Sequence, residues 1–511
     1  MFNASKVLEP AFQEQPKSFF WQAITANYAV DETRYLNELI PLAQSDASEH
    51  RDVTETATSL IRKVREQDDS VHMVDALLQE YSLDTEEGIL LMCLAEALMR
   101  IPDKYTADAL IQDKLSDADW KKHVGRSEST LVNASTWGLL LTGRVVKMDK
   151  RLDGSPSSIW KRLIKRSGEP VIRSAMYQAM AIMGKQFVLG RDIDEALRNA
   201  REYRDLGYTY SFDMLGEAAM TRDDADRYLK DYMDAIESVG NDTYPDSRAP
   251  APSISIKLSA LHPRYEASQE ERVLEELYAT VIDLLTFARE KKVSITIDAE
   301  EMDRLEISLK LFEKAFTSPV AKGWGGFGLV IQAYSKRALP VLCWLTKLAK
   351  QQGDEIPIRL VKGAYWDTEI KICQQLGLEG YPVFTRKEAT DTSYLACLRY
   401  LLSDYTEGAL YPQLASHNAH TVSSVLTMAR NKGRRIEFQR LHGMGDALYN
   451  SILEDNNLPV RIYAPVGAHK DLLPYLVRRL LENGANSSFV HRLVDAATPI
   501  EALMQNPVQE L

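Results

Sequence analysis

Seven polar residues read as the ends of strand-like runs: Lys257, Asp298, Gln332, Arg359, His417, His442 and Tyr463. The runs are SISIKLSALHP, VSITIDAEEMD, FGLVIQAYS, IPIRLVKGAYW, PQLASHNAH, IEFQRLHGMG and VRIYAPVG. Cations, a carboxylate, an amide, imidazoles and a phenol gathered in one place could bind an anionic substrate, move a proton or hold a cofactor. Lys257 admits three readings: a structural ion pair, a Schiff-base nucleophile, or a point charge for an anion. Asp298 can orient a donor, act as a base or pair with Lys257. Arg478 and Arg479 are adjacent, with Glu482 one helical turn on. That spacing suits a solvated helix face, or a carboxylate clamp whose geometry Glu482 fixes. RLVKGAYWD is the richest segment, with Arg359, Lys362, Tyr365 and Trp366 around Gly363. Two cations, two aromatics and a close-approach glycine suit a flat, anionic cofactor. FTRKEATD adds Thr385, Arg386, Lys387 and Thr390, which could take phosphates. The plainer reading is a busy surface loop; the two segments together favour a cofactor.

Other motifs carry less. GWGGFG matches GxGxxG at Gly323, Gly325 and Gly328, but it precedes a strand. A dinucleotide fingerprint must follow a strand and open a helix, so this one reads as a loop. His417 and His420 form HNAH, which lacks the i, i+4 spacing and acidic company of a metal pair, so no metal is expected. His417 at a strand end could bond a ligand, and His420 reads as lying near a helix start.

These side chains need a scaffold that brings strand ends together. Strand candidates occur near Tyr208, Ser255, Ile297, Val330, Ile358, Leu414, Phe438 and Ile462, with helical stretches between them. Eight βα units over this span predict a (βα)8 TIM-type barrel of class α/β, whose strand C-termini converge on one face. A doubly wound open sheet is the alternative; it favours fewer strands and a Gly-rich first turn, which DMLGEAA does not supply. The N-terminal part reads as helical without strands. The boundaries read as a helical arm over 1–67, a small helical domain over 68–115, a linker over 116–157 and the barrel over 158–505.

The 511 residues include 45% hydrophobic ones, ample for a core, and carry a net charge of −12. Such a balance gives no basic footprint for nucleic acid, so no nucleic-acid partner is expected. The four cysteines, Cys93, Cys343, Cys373 and Cys397, form no CxxC and read as buried thiols of a reducing compartment. The N-terminus has no apolar signal core, and no run reaches the length of a membrane span, so any membrane contact would be peripheral.

The motifs SIKLSALHPRY, ITIDAEEMDRLEISL, GLVIQAYSKR, IPIRLVKGAYWDTEIK, SHNAHTV, LHGMG, RIYAPVG and YLVRRLLENGANSSFV resemble the proline dehydrogenase module of the bacterial proline utilization A flavoproteins. The likeness extends upstream through EGILLMCLAEALMRIPDK and covers nearly the whole chain. It implies an FAD-binding (βα)8 barrel that oxidises L-proline to Δ1-pyrroline-5-carboxylate, with electrons passed to a ubiquinone-type acceptor in the membrane. Lys257, Arg478 and Arg479 would hold the proline carboxylate, with Glu482 positioning the arginines. Asp298, Tyr365 and Tyr463 would shape the substrate pocket, Asp298 lying close to the cofactor as well. Gln332 and Arg359 would contact the isoalloxazine. Val361, Lys362, Gly363, Ala364 and Trp366 would line it, and Thr385, Arg386, Lys387, His417 and Asn418 would meet the rest of FAD. The resemblance also implies a cytoplasmic protein, peripheral at the inner membrane, with room for a homodimer and an aldehyde dehydrogenase module beyond the C-terminus. The ribbon–helix–helix segment of the family's regulatory members is not seen. Two rival readings remain: a lyase using Lys257 as a Schiff base, and a barrel that binds ligand or assembles a larger protein without turnover.

Overall fold

In the computed structural model, residues 2–67, 105–106, 187–242, 250–456, 458–467, 493 and 498–511 are described. The chain divides into two compact units: Met1–Asp68 with Leu189–Gly467 and Arg492–Leu511, and Asp69–Val188 with Ala468–His491. The first unit contains a closed barrel of eight parallel strands, each hydrogen-bonded to its sequence neighbours, with the last pairing back to the first. The strands are β1 (Thr209–Met214), β2 (Ser253–Ile256), β3 (Ser294–Ile297), β4 (Phe327–Gln332), β5 (Ile356–Val361), β6 (Leu410–Ala415), β7 (Glu437–Leu441) and β8 (Val460–Val466). All eight predicted strands are present, and the open sheet is excluded.

The strands alternate in chemistry as well as direction. In β1 and β2, Tyr210, Phe212, Ile254 and Ile256 are fully buried, as are Ser211, Asp213 and Ser255 between them. The period-2 pleat puts the two sets on opposite faces. Arg359 donates to the hydroxyl oxygens of Ser211 and Ser255, which puts the polar set inside the barrel. Near its N-terminal end, Arg461 of β8 grips both oxygens of Glu437 of β7, at 2.6 and 3.0 Å. Its Nη1 donates to the carbonyls of Tyr210 and Ala251 at 3.0 Å, so this buried ion pair is well satisfied. Most barrels fill this space with branched apolar side chains; this one fills it with a paired polar network.

Helices cover the outside. Glu270–Glu290 buries Val273, Leu277, Val281, Leu284, Leu285 and Ala288, an i, i+4 stripe that packs on the sheet. Ala338–Gln352, Lys387–Leu401 and Ala419–Lys432 are buried almost all round, because the N-terminal arm lies over them. The arm comprises the helices Lys17–Ala26, Glu32–Ala43 and Ala47–Gln67. Trp21 packs against Trp344 at 5.5 Å, Tyr35 stacks on Phe384 at 6.2 Å, and Arg399 pairs with Glu49 at 2.7 Å.

Cys343, Cys373 and Cys397 are buried free thiols, as expected; Cys93 lies outside the described residues. GWGGFG forms the turn before β4, with Gly323 and Gly325 at positive φ (70° and 66°), which explains its glycines without a nucleotide. The predicted small helical domain and linker lie almost wholly outside the described residues.

Candidate active site

The strand C-termini bring together four of the predicted residues and one that was not predicted. Lys257 follows β2 and Asp298 follows β3, while Arg359 and Tyr463 lie within β5 and β8 rather than at their ends. The inward pleat aims these two into the same space as the strand-end groups. Lys257 Nζ donates to Asp213 Oδ1 at 2.5 Å and lies 3.4 Å from Asp298 Oδ2. Arg359 Nη1 donates to Asp298 Oδ1 at 2.8 Å, and Nη2 donates to Ser211 and Ser255 at 2.9 and 3.0 Å. Tyr463 donates to Asp298 Oδ2 at 2.7 Å, and the Arg359 guanidinium sits 5.1 Å from the centre of its ring. All five are substantially buried, Asp213 completely.

Electrostatics acts on Lys257, Asp213 and Tyr463. Burial works against the Lys257 ammonium, but Asp213, Tyr463 and Asp298 outweigh it and hold its pKa well above the usual value. A protonated lysine is no nucleophile, which weighs against the Schiff-base lyase reading. Burial raises the Asp213 carboxyl, and Lys257 opposes that. Burial, with Asp213 and Asp298 behind it, keeps the Tyr463 phenol neutral and therefore a donor.

Asp213 was missed because YTYSFDM was read only as a strand, and its alternation of aromatic and polar residues was not followed inward. A second carboxylate on the inward register of β1, beside a lysine ending β2, is the signal that could have found it.

The other predicted residues fall around this centre. Gln332 donates from Nε2 to the carbonyl of Glu300 at 2.9 Å and accepts the Ala364 amide at 3.2 Å, joining the loops after β3, β4 and β5. Val361 ends β5, and Lys362 pairs with Asp391, which Lys387 also reaches at 3.0 Å. Burial would raise the Asp391 carboxyl, but the two lysines hold it below the usual value. Tyr365 is the N-cap of helix Trp366–Leu376, and the Trp366 indole donates to the Phe384 carbonyl at 2.8 Å. Thr385 gives its amide and hydroxyl to Glu32 of the arm, while Arg386 donates to the Glu510 carbonyl. His417 Nε2 accepts the Leu441 amide at 3.3 Å, and Asn418 caps helix Ala419–Lys432 through the Thr421 amide at 3.0 Å. Two flanking imidazoles are kept neutral: burial lowers His420 and His442 to about 4. Arg478, Arg479 and Glu482 lie outside the described residues.

Gly363 was read as a close-approach position. Its φ is +141°, and an added Cβ would fall 2.4 Å from the Tyr334 ring. Gly363→Ala is therefore expected to cost about 1–3 kcal/mol, seen as a lower Tm.

The loop after β3 is held by two carboxyl groups. Glu300 accepts the Ser259 amide at 3.1 Å, and Glu369 accepts the Met302 amide at 2.7 Å. Burial pushes both up to about 7. A raised carboxyl favours the fold while protonated, so its contribution is complete below the ordinary value of 4.5 and is lost as pH climbs through about 7. Glu369→Gln, which mimics the neutral form, should gain on the wild type by about 2 kcal/mol between roughly pH 5 and 8. Urea unfolding across that range checks it; parallel curves would show that Glu369 does not titrate in the fold.

The donor set fits a flat, anionic cofactor. Arg359 Nε is buried without a hydrogen-bond partner in the same cluster as Lys257, Asp298 and Tyr463. An orphaned cationic donor there suits an acceptor on the edge of a heteroaromatic ring.

Comparison with known proteins agrees with the geometry. The model described as "Proline dehydrogenase" matches residues 196–492. "Proline utilization A proline dehydrogenase N-terminal domain" matches 21–65, and "DNA-binding domain of Proline dehydrogenase" matches 73–187. The bifunctional protein PutA of Escherichia coli is 49% identical over 98% of this chain and 38% of its own length. That of Rhizobium meliloti is 46% identical over 97% of this chain and 40% of its own length. A crystal structure of Bradyrhizobium japonicum proline utilization A, a D778Y mutant, superposes with a TM-score of 0.69 at 44% identity, covering 94% of this chain and 48% of that one. The chain thus spans about two fifths of the length of the curated relatives it matches. With the family model covering more than half of its residues, the chain belongs to the proline dehydrogenase family, and it is similar to the proline dehydrogenase module of the PutA proteins.

Proposed function

We propose that this chain oxidises L-proline to Δ1-pyrroline-5-carboxylate with FAD held at the C-terminal face of the barrel. The electrons then pass to a membrane quinone. The observation that carries this reading is the buried network of Lys257, Asp213, Asp298, Arg359 and Tyr463. FAD, when bound, supplies the hydride acceptor. An ammonium has three donors; Asp213 accepts one of those on Lys257 and Asp298 stands 3.4 Å away as an ion pair, so donor capacity is left for a substrate carboxylate. Arg478 and Arg479, steadied by Glu482, would supply the remaining charge on that carboxylate. Tyr463 and Tyr365 shape the pocket around the ring. Gln332, Arg359, Val361, Lys362, Gly363, Ala364 and Trp366 would hold the flavin, and Thr385, Arg386, Lys387, His417 and Asn418 its remaining parts.

Among the described residues no helix is long and apolar enough to cross a membrane, so contact with the quinone is read as peripheral. Nucleic acid stays outside the proposal: the segment that matches "DNA-binding domain of Proline dehydrogenase", 73–187, lies almost wholly outside the described residues. The test is the visible spectrum of the purified chain, reconstituted with FAD, before and after anaerobic L-proline. Flavin bands that bleach with proline support the reading. Bands that persist move the substrate to another amine, and failure to take up FAD removes the reading.

A further inference from the structure

The N-terminal arm meets the barrel at one place that bears on the cofactor residues. Between helices Lys17–Ala26 and Glu32–Ala43, the segment Tyr28–Glu32 lies against the loop after β4 and the turn Pro382–Lys387. The Glu32 carboxylate accepts the Thr385 amide at 3.0 and 3.1 Å and the Thr385 hydroxyl at 3.0 Å. Lys336, on the β4 loop, donates to the Val30 carbonyl at 3.0 Å and lies 3.7 Å from Glu32. Arg337 sits 4.9 Å from the centre of the Tyr28 ring and donates to the Met302 carbonyl in the β3 loop.

The turn itself is tied to the barrel mouth by backbone bonds. Lys336 N donates to Pro382 O at 3.0 Å, and Phe384 N donates to Tyr334 O at 2.9 Å. Tyr334 N in turn reaches Lys362 O at 2.7 Å. Glu32 is rigidly placed for this task. It opens its helix directly after Asp31, whose side chain caps the helix through the Arg34 amide at 2.7 Å. A carboxylate that takes two donors of one residue, with a lysine beside it, fixes that residue's orientation through charge-assisted bonds.

We propose that Glu32 is a positioning residue for the cofactor. From the arm, it orients the Thr385–Lys387 turn and so sets FAD affinity without touching substrate. The inference rests on the functional reading above. It assigns the arm a part in cofactor retention beyond covering the barrel helices. It also divides the work on Thr385: Glu32 takes its amide and hydroxyl protons, so Thr385 offers the cofactor an acceptor, and the neighbouring cations Arg386 and Lys387 offer the positive charge.

The experiment compares the wild-type chain with Glu32→Ala, Glu32→Gln and Glu49→Ala. The last breaks a different arm-to-barrel pair, with Arg399 at 2.7 Å, far along the arm in sequence. Apoproteins are titrated with FAD by flavin fluorescence, and the FAD-loaded forms are assayed for the KM of L-proline. Loss of a charge-assisted pair predicts an FAD dissociation constant about 10-fold weaker for Glu32→Ala. Glu32→Gln, which keeps one acceptor oxygen, should recover part of the loss. Glu49→Ala should bind FAD as the wild type does, and KM should not move in any of them. Wild-type affinity in Glu32→Ala would overturn the inference, as would equal weakening in Glu49→Ala. If the wild type takes up no FAD, the functional reading fails first and takes this inference with it.

Discussion

Asp213→Ala is expected to lower the unfolding free energy by about 3–5 kcal/mol, the usual cost of breaking a buried pair. Asp213 is completely buried and is the nearest partner of Lys257, at 2.5 Å. Without it, Lys257 keeps only Asp298, at 3.4 Å, and its ammonium is left largely uncompensated in a site that burial already disfavours. The cost therefore belongs to the stranded charge more than to the lost bond. That distinction is testable. The double variant Asp213→Ala/Lys257→Met should recover much of the loss, since it removes the stranded charge with its partner. Urea unfolding of the two variants decides it. A loss within about 0.5 kcal/mol for Asp213→Ala would mean that the pair does not hold the barrel mouth together.

Arg359→Ala should reduce kcat/KM for L-proline by on the order of 100-fold or more, because a charge-assisted bond contributes about 1.5–3 kcal/mol. Here one guanidinium holds Asp298 and two serines at once, and its buried Nε has no hydrogen-bond partner. Its removal frees Asp298 to close from 3.4 Å onto Lys257 and compete with the substrate carboxylate for the ammonium. Arg359→Lys is the sharper probe. A lysine keeps the charge but cannot span Asp298, Ser211 and Ser255 with a planar fork, so it should restore less than about a tenth of the activity. Stopped-flow reduction of the FAD-loaded variants reads both. Full rescue by lysine would show that charge alone is needed and that the fork geometry is incidental.

Much of this site could be read from the chain. SISIK and SITID end in Lys257 and Asp298, and their positions at strand ends follow from the rise of β propensity and its abrupt stop. The barrel followed from the strand–helix rhythm, because parallel strands need helical crossovers of a certain length. What was not legible came from the pleat. Arg359 and Tyr463 were read as strand termini, yet both lie inside their strands and reach the site by pointing inward. The Arg461–Glu437 pair and Asp213 went unnoticed for the same reason: strands buried on both faces are expected to be continuously apolar. In SISIK, SITID and TYSFD every second residue is polar instead, and that alternation was the visible sign of a polar interior. The role of Glu32 could not be read at all. Its partner Thr385 lies 353 positions away, and no local pattern links an arm to a turn at that distance.

The central claim is that the Lys257 network binds the proline carboxylate next to the flavin. The most direct measurement is anaerobic bleaching of the FAD-loaded wild type and of Lys257→Met as a function of L-proline concentration, with flavin content checked in both. The account predicts equal flavin content and a half-saturating proline concentration raised by about 10- to 150-fold in Lys257→Met, the range for one charge-assisted bond. The same concentration dependence in both proteins would contradict it and place the substrate carboxylate elsewhere.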